Sequence, residues 1–104
     1  MFKAFAVLDV KASAYGMPMF MSTRGLALRG FADACADSRS MLAQHPEDYQ
    51  LFEIGEYDQN NGRLNSLEQP ELVATASQVV AQLQLARQRP VELPEAEKAG
   101  EVSK

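Results

Sequence analysis

Alternating apolar and polar positions near the start of the chain predict the first strand of a sheet. Within residues 2–10, Phe5 and Val7 point to one face, while Ala4 and Leu8 belong to the set that points to the other. Both faces therefore carry apolar side chains. That pattern is typical of a strand at the centre of a sheet rather than at its edge.

A second strand and a hairpin are predicted farther along the chain. Residues 49–57 are rich in aromatic and branched side chains, which favour extended backbone. Asn61 and Gly62 follow, and both tolerate the positive φ angles that a tight hairpin turn requires. Residues 63–67 would then return as a short strand with only two apolar side chains.

Apolar residues recur every three or four positions in two longer segments, which predicts helices over residues 23–36 and 71–88. Ser22 or Thr23 is suited to cap the first helix, because a side-chain hydroxyl can accept a hydrogen bond from the first turn. Pro70 is suited to the first turn of the second helix.

These elements predict an α+β fold in a single domain of residues 1–89. A small antiparallel or mixed sheet of three to four strands is packed by two helices, with residues 17–21 on an edge and a short helical turn over residues 38–44. Residues 90–104 hold four glutamates, two prolines and few bulky apolar groups. Because such a segment cannot offset its own ordering entropy, we expect a disordered acidic tail.

The cysteine count and the hydropathy pattern narrow the cellular setting. Cys35 is the only cysteine, so no internal disulfide can form, and the chain is compatible with a reducing cytosol. No apolar run approaches the roughly 20 residues that a membrane-spanning helix needs, so no membrane partner is expected.

Charge is distributed unevenly along the chain. The net charge is −4, which argues against a general polyanion binder. Residues 1–30 nevertheless carry four cations against one acid, a balance of +3, whereas residues 31–71 carry nine acids against two cations, a balance of −7. The N-terminal cations and two nearby aromatic residues form a candidate surface for single-stranded nucleic acid, in which cations follow the phosphates and rings stack on bases. This set consists of Lys3, Lys11, Tyr15, Phe20, Arg24 and Arg29.

Three methionines at alternate positions suggest a second kind of contact surface. In extended backbone, Met17, Met19 and Met21 would line one face with flexible, polarizable side chains. Filling of the core is one explanation. The other is an adaptable surface for a partner protein or a second subunit, because Pro18 places the segment on a sheet edge.

No catalytic or metal-binding motif is present. Cys35 and His45 are too few for a zinc site, and Cys35 lies on an apolar helical stripe where thiols are usually inert. Glu47 and Asp48 are adjacent in the chain, so in extended backbone they would not flank one substrate. No glycine-rich phosphate loop occurs. We therefore expect a protein that is not an enzyme and binds no cofactor or metal.

Several segments resemble the small nonstructural protein of the gokushovirus-type microviruses, which are phages with single-stranded DNA. The similar segments are Asp9-Val10-Lys11, Pro18 with Phe20, residues 29–35, Ser40-Met41-Leu42, residues 45–49, residues 51–55, Asp58 with Gly62, and Pro70. They span roughly residues 1–75.

The resemblance implies a non-enzymatic phage accessory protein in the bacterial host cytoplasm, acting in viral DNA synthesis or packaging. Together with the positive balance of residues 1–30, it leads to the hypothesis of weak single-stranded DNA binding by a homo-oligomer. The acidic net charge supports an alternative hypothesis, in which the protein docks a phage replication protein, a capsid protein or a host protein.

Overall fold

The computed structural model describes residues 1–88 and has an α+β fold, as predicted. Its elements are β1 (Phe2–Asp9), β2 (Ala14–Tyr15), β3 (Met19–Met21), α1 (Arg24–Ala36), α2 (Met41–Gln44), a 3₁₀ turn (Pro46–Asp48), β4 (Tyr49–Asp58), β5 (Arg63–Thr75) and α3 (Ala76–Gln88). The predicted acidic tail lies outside the described residues.

All strand pairs in the five-stranded sheet are antiparallel, which decides between the two sheet types left open by the sequence. β1 is central, as predicted, with β4 on one side and the two short strands β2 and β3 on the other. β5 pairs with β4 and forms the far edge. The predicted edge segment of residues 17–21 corresponds to β3.

The turn between β4 and β5 confirms the predicted hairpin. Gly62 has a φ of 72°, and its N–H donates to the carbonyl oxygen of Asp58 at 2.8 Å. The side chain of Asn61 accepts a hydrogen bond from the N–H of Arg63 at 2.9 Å. These local bonds fix the turn and thereby the strand register.

The boundary between β5 and α3 differs from the prediction. Residues 71–75, expected in the last helix, are part of β5, where Leu72 pairs with Phe52 and Ala74 pairs with Leu51. Pairing with β4 buries Ala74, and this long-range contact outweighs the local helical pattern. Pro70 therefore does not begin a helix.

The other helix boundaries follow local chemistry. The side chain of Thr23 accepts a hydrogen bond from the N–H of Leu26 and caps α1. Ser40 caps α2 in the same way, through the N–H of Ala43, and α2 ends at Gln44, before the 3₁₀ turn. In the part of the chain described, no helix has the length and apolar character needed to cross a membrane.

The helices cover one face of the sheet. Phe5 and Leu51 are fully buried there, against apolar residues of α1 and α3 such as Phe31 and Val79. None of the apolar residues of the opposite face belongs to this core. We call that opposite side the open face. From the strand register it comprises Phe2, Ala4, Ala6, Leu8, Tyr15, Phe20, Gln50, Phe52, Gly55, Tyr57, Leu64, Ser66, Leu72 and Thr75.

Gly55 allows β4 and β5 to approach closely. A Cβ atom at this position would lie 2.5 Å from the backbone oxygen of Asn65, a contact that only a backbone shift can relieve. We expect Gly55→Ala to lower the free energy of unfolding by about 1–3 kcal/mol. Gly30 on α1 has no neighbour within 4 Å of such a Cβ, so Gly30→Ala should raise it by about 0.5–1 kcal/mol.

Urea denaturation of the two glycine variants, followed by circular dichroism, measures both changes. Equal effects, or stabilisation by Gly55→Ala, would contradict the described approach of the strands.

Candidate interaction surfaces

Glu53 is the one buried charged residue within residues 1–88, with 5% of its surface exposed. It lies on the helix-covered face of β4. Nε and Nη2 of Arg24 donate to its Oε1 at 3.1 and 2.7 Å, and Nζ of Lys3 donates to Oε2 at 3.5 Å. Nη2 of Arg24 also lies 3.1 Å from Oε1 of Glu71. The two cations therefore converge on carboxylates of the same chain.

The ionisation of Glu53 reflects this pairing. Burial raises the pKa of its carboxyl group. The hydrogen bond from Arg24 and the positive charges of Lys3 and Arg24 lower the pKa by more than burial raises it, so the pKa lies below its ordinary value. The hydrogen bond to Glu53 in turn raises the pKa of Arg24. Glu53 is therefore ionised at neutral pH and is paired with the positive charges of Arg24 and Lys3.

This cluster changes the interpretation of the predicted nucleic-acid surface. Lys3 and Arg24 already have carboxylate partners, while Lys11 lies in the turn after β1 and Arg29 is exposed on α1. Lys3 and Lys11 are separated by the length of β1, about 25 Å at the usual rise of a strand. The four cations therefore do not form one free basic patch. The sequence could not indicate this, because the partner carboxylates are remote in the chain.

The two aromatic residues of the predicted set both lie on the open face, opposite Leu8 and Ala4 of β1 and in separate aromatic pairs. The rings of Tyr15 and Phe52 are 5.7 Å apart and those of Phe20 and Tyr57 are 5.8 Å apart, both in edge-to-face geometry. Tyr15 and Phe20 remain nearly half exposed. Sequence reasoning did not select Phe52 and Tyr57 as surface partners, although the strand pattern of residues 49–57 contains them.

The paired positions of the open face are uncharged. The register assigns no charged side chain to it, and the unpaired residues 67–70 of β5, which include the exposed Glu68, border it. Leu64 and Leu72 of β5 are 64% and 51% exposed there, whereas Ala4 and Ala6 of the central strand β1 are buried. Such a surface resembles the centre of a protein interface more than a phosphate-binding groove.

A shallow cavity of about 250 Å³ opens on this face between β3 and β5. Ala4 and Gly55 form part of its lining, together with Phe20, Ile54 and Leu64. Its lining is therefore largely apolar, and its volume is sufficient for one large apolar side chain.

The three methionines of the second predicted surface do not share one environment. Met19 and Met21 are half-buried and pack against the core, as the core-filling explanation requires. Met17 is 86% exposed in the segment before β3. Of the three, Met17 is the one that a partner can reach without rearrangement.

Cys35 and His45 lie in different environments. Cys35 is buried in the core, as expected, and burial raises the pKa of its thiol. His45 is exposed at the end of α2, where single ligand atoms of His45, Glu47 and Asp48 lie within 4.8 Å of one another. Exposed groups are often arranged in this way without an ion, and we assign no metal site to them.

Comparison with known protein families gives a match over most of the chain. The model of a family described as Phage ORF5 protein matches residues 2–79 of the chain. No curated protein and no solved structure matches it significantly.

The pairing of Arg24 with Glu53 predicts a position-specific effect on stability. Arg24→Gln removes the two shorter of the three hydrogen bonds that the buried Glu53 carboxylate accepts, so we expect the free energy of unfolding to fall by about 1–3 kcal/mol. Arg29→Gln removes an exposed cation from the same helix and should change it by less than about 0.5 kcal/mol. Thermal or urea denaturation distinguishes the two, and equal effects would contradict the structural role of Arg24.

The pairing of Glu53 with Arg24 and Lys3 also predicts that the free energy of unfolding depends on pH. The pKa of Glu53 is lowered in the folded state, so its stabilising contribution is present above the unfolded value of about 4.3 and is lost as the pH falls through the folded value. Glu53→Gln should therefore lose less stability than the wild type on acidification, whereas exposed Glu68→Gln should behave as the wild type. Urea denaturation at neutral and acidic pH tests this, and parallel losses in all three proteins would oppose it.

Proposed function

Because the chain belongs to the Phage ORF5 protein family, we propose that it is a non-enzymatic accessory protein acting in viral DNA replication or packaging in the host cytoplasm. The family match supports a phage protein. The microvirus affiliation and the role in DNA synthesis rest on the sequence resemblance described above, which spans nearly the same residues.

We propose further that the protein acts by docking another protein. The observation that carries this proposal is the convergence of Lys3 and Arg24 on Glu53. Release of either cation toward a phosphate would leave a buried carboxylate less well paired, which opposes binding. The sequence count of N-terminal cations therefore overstates the charge that a polyanion can use.

The chemistry of the partner follows from the remaining charge. The net charge of the chain is −4, and exposed acids such as Asp33, Glu47 and Glu68 contribute to it. Proteins that handle DNA carry basic surfaces, and an acidic protein is electrostatically complementary to them. A replication protein or a capsid protein that contacts the genome, of phage or host origin, is the class of partner that we propose.

A second candidate function is weak binding of single-stranded DNA. The observation that favours it is the position of Tyr15 and Phe20, which lie half exposed on the uncovered face of the sheet. Bases can stack on such rings without sequence preference. Lys11 lies in the turn that leads to Tyr15 and would be its nearest cation along the chain.

Capture of partners from infected cells tests the docking proposal. The full chain, immobilised through its N-terminus, should retain a basic protein that is released as salt is raised, because screening weakens contacts between exposed charges. A matched Glu47→Lys/Glu68→Lys variant, with the ion-pair cluster intact, should retain less of it. Retention that is unaffected by salt and by this variant would contradict an acidic docking surface.

Fluorescence anisotropy with labelled single-stranded DNA separates the two candidates. We expect no saturable binding at physiological salt of about 0.15 M. Saturable binding that is weakened by Phe20→Ala and by Lys11→Glu, but not by Met41→Ala on α2, would instead establish the second candidate.

A further inference from the structure

Within residues 1–88, no helix or strand covers the open face. It carries five aromatic rings and two exposed leucines, and its paired positions hold no charged side chain. We propose that this face packs against the open face of a second copy of the chain, forming a symmetric dimer with helices on both outer sides. The inference goes beyond the docking function, which uses exposed acids outside the paired positions of this face.

The edges of the sheet are poorly suited to association by strand pairing. On β5, residues 67–70 have no partner in β4 and include Pro70, and the segment is flanked by acidic Glu71. On the other edge, β2 and β3 are two and three residues long, and Pro18 lies between them. Short, irregular edges with proline and charge prevent the addition of strands. Association is therefore expected at the face rather than at an edge.

The lack of charge at the paired positions of the open face allows a second copy to be the occupant. Two chains of net charge −4 repel each other over most of their surfaces. Contact through the uncharged paired positions of two open faces leaves the acids of both chains, including Glu68 in the unpaired stretch of β5, at or beyond the rim, where solvent screens their repulsion. A polyanion, in contrast, would find no cation on this face to neutralise its phosphates.

The size of the face is sufficient for a weak dimer. The face is four strands wide, at about 4.8 Å per strand, and as long as the eight residues of β1, at about 3.3 Å per residue. Its footprint is therefore about 500 Å². Two copies would bury about 1,000 Å², which is near the lower limit of a specific interface. We therefore expect association that depends on concentration.

The shape of the face suits packing of two sheets. Facing sheets lie about 10 Å apart with their side chains interdigitated. The cavity of about 250 Å³ beside Gly55 offers room for an apolar side chain of the second copy. In a symmetric pair the same contact is made twice.

Sedimentation velocity of the full chain, from micromolar to millimolar concentration, tests the proposal. The wild type should shift from monomer toward dimer. Leu64→Glu places a charge on the open face and should remain monomeric, as should Leu72→Glu. Leu85→Glu is the matched control, because Leu85 is 63% exposed on α3, nearly as much as Leu64, and this variant should dimerise as the wild type does.

Circular dichroism first establishes that each variant is folded. A wild type that stays monomeric at every concentration overturns the inference, as does a dimer that Leu85→Glu disrupts and Leu64→Glu does not. If the wild type is monomeric, single-stranded DNA is added to it. Binding of the DNA that Leu64→Glu prevents would identify DNA as the occupant of the open face and would also overturn the dimer. None of these outcomes depends on the partner captured from infected cells.

Discussion

The structure depends on a sheet that has apolar side chains on both faces, while the helices of residues 1–88 cover only one of them. Phe5 and Leu51 are buried beneath the helices, whereas the opposite side of the same strands keeps Leu64 exposed. Because apolar area in water is unfavourable, such a half-covered sheet favours association. The small residues Ala4 and Ala6 and the aromatic rings beside them reduce the exposed area without covering the face.

The second determinant is the placement of charge. Glu53 is buried where it can pair with Arg24 and Lys3, so two positive charges near the start of the chain stabilise the fold and are less available to bind phosphate. The remaining surface combines exposed acids with one face whose paired positions are uncharged. This division separates the two roles proposed for the chain, since acidic contacts suit a basic partner and the uncharged face suits a second copy.

Local patterns predicted the parts of the fold that local interactions determine. The central strand, the Asn61–Gly62 turn and the cap at Thr23 are such features. The boundary between β5 and α3 was missed because the apolar spacing continues across it and only pairing with β4 distinguishes strand from helix. The partners of the predicted site residues were also missed, since Glu53 is 29 residues from Arg24 in the chain. Such contacts follow from strand register, which a single sequence does not display.

Coverage of the open face by protein can be tested by measuring the solvent accessibility of its side chains. Methyl relaxation caused by a soluble paramagnetic agent reports how far solvent reaches Leu64, Leu72 and Leu85. The account predicts that this relaxation falls at Leu64 and Leu72 as concentration rises from micromolar to millimolar, while Leu85 on α3 stays accessible. Unchanged relaxation at Leu64 and Leu72, or an equal fall at Leu85, would contradict it.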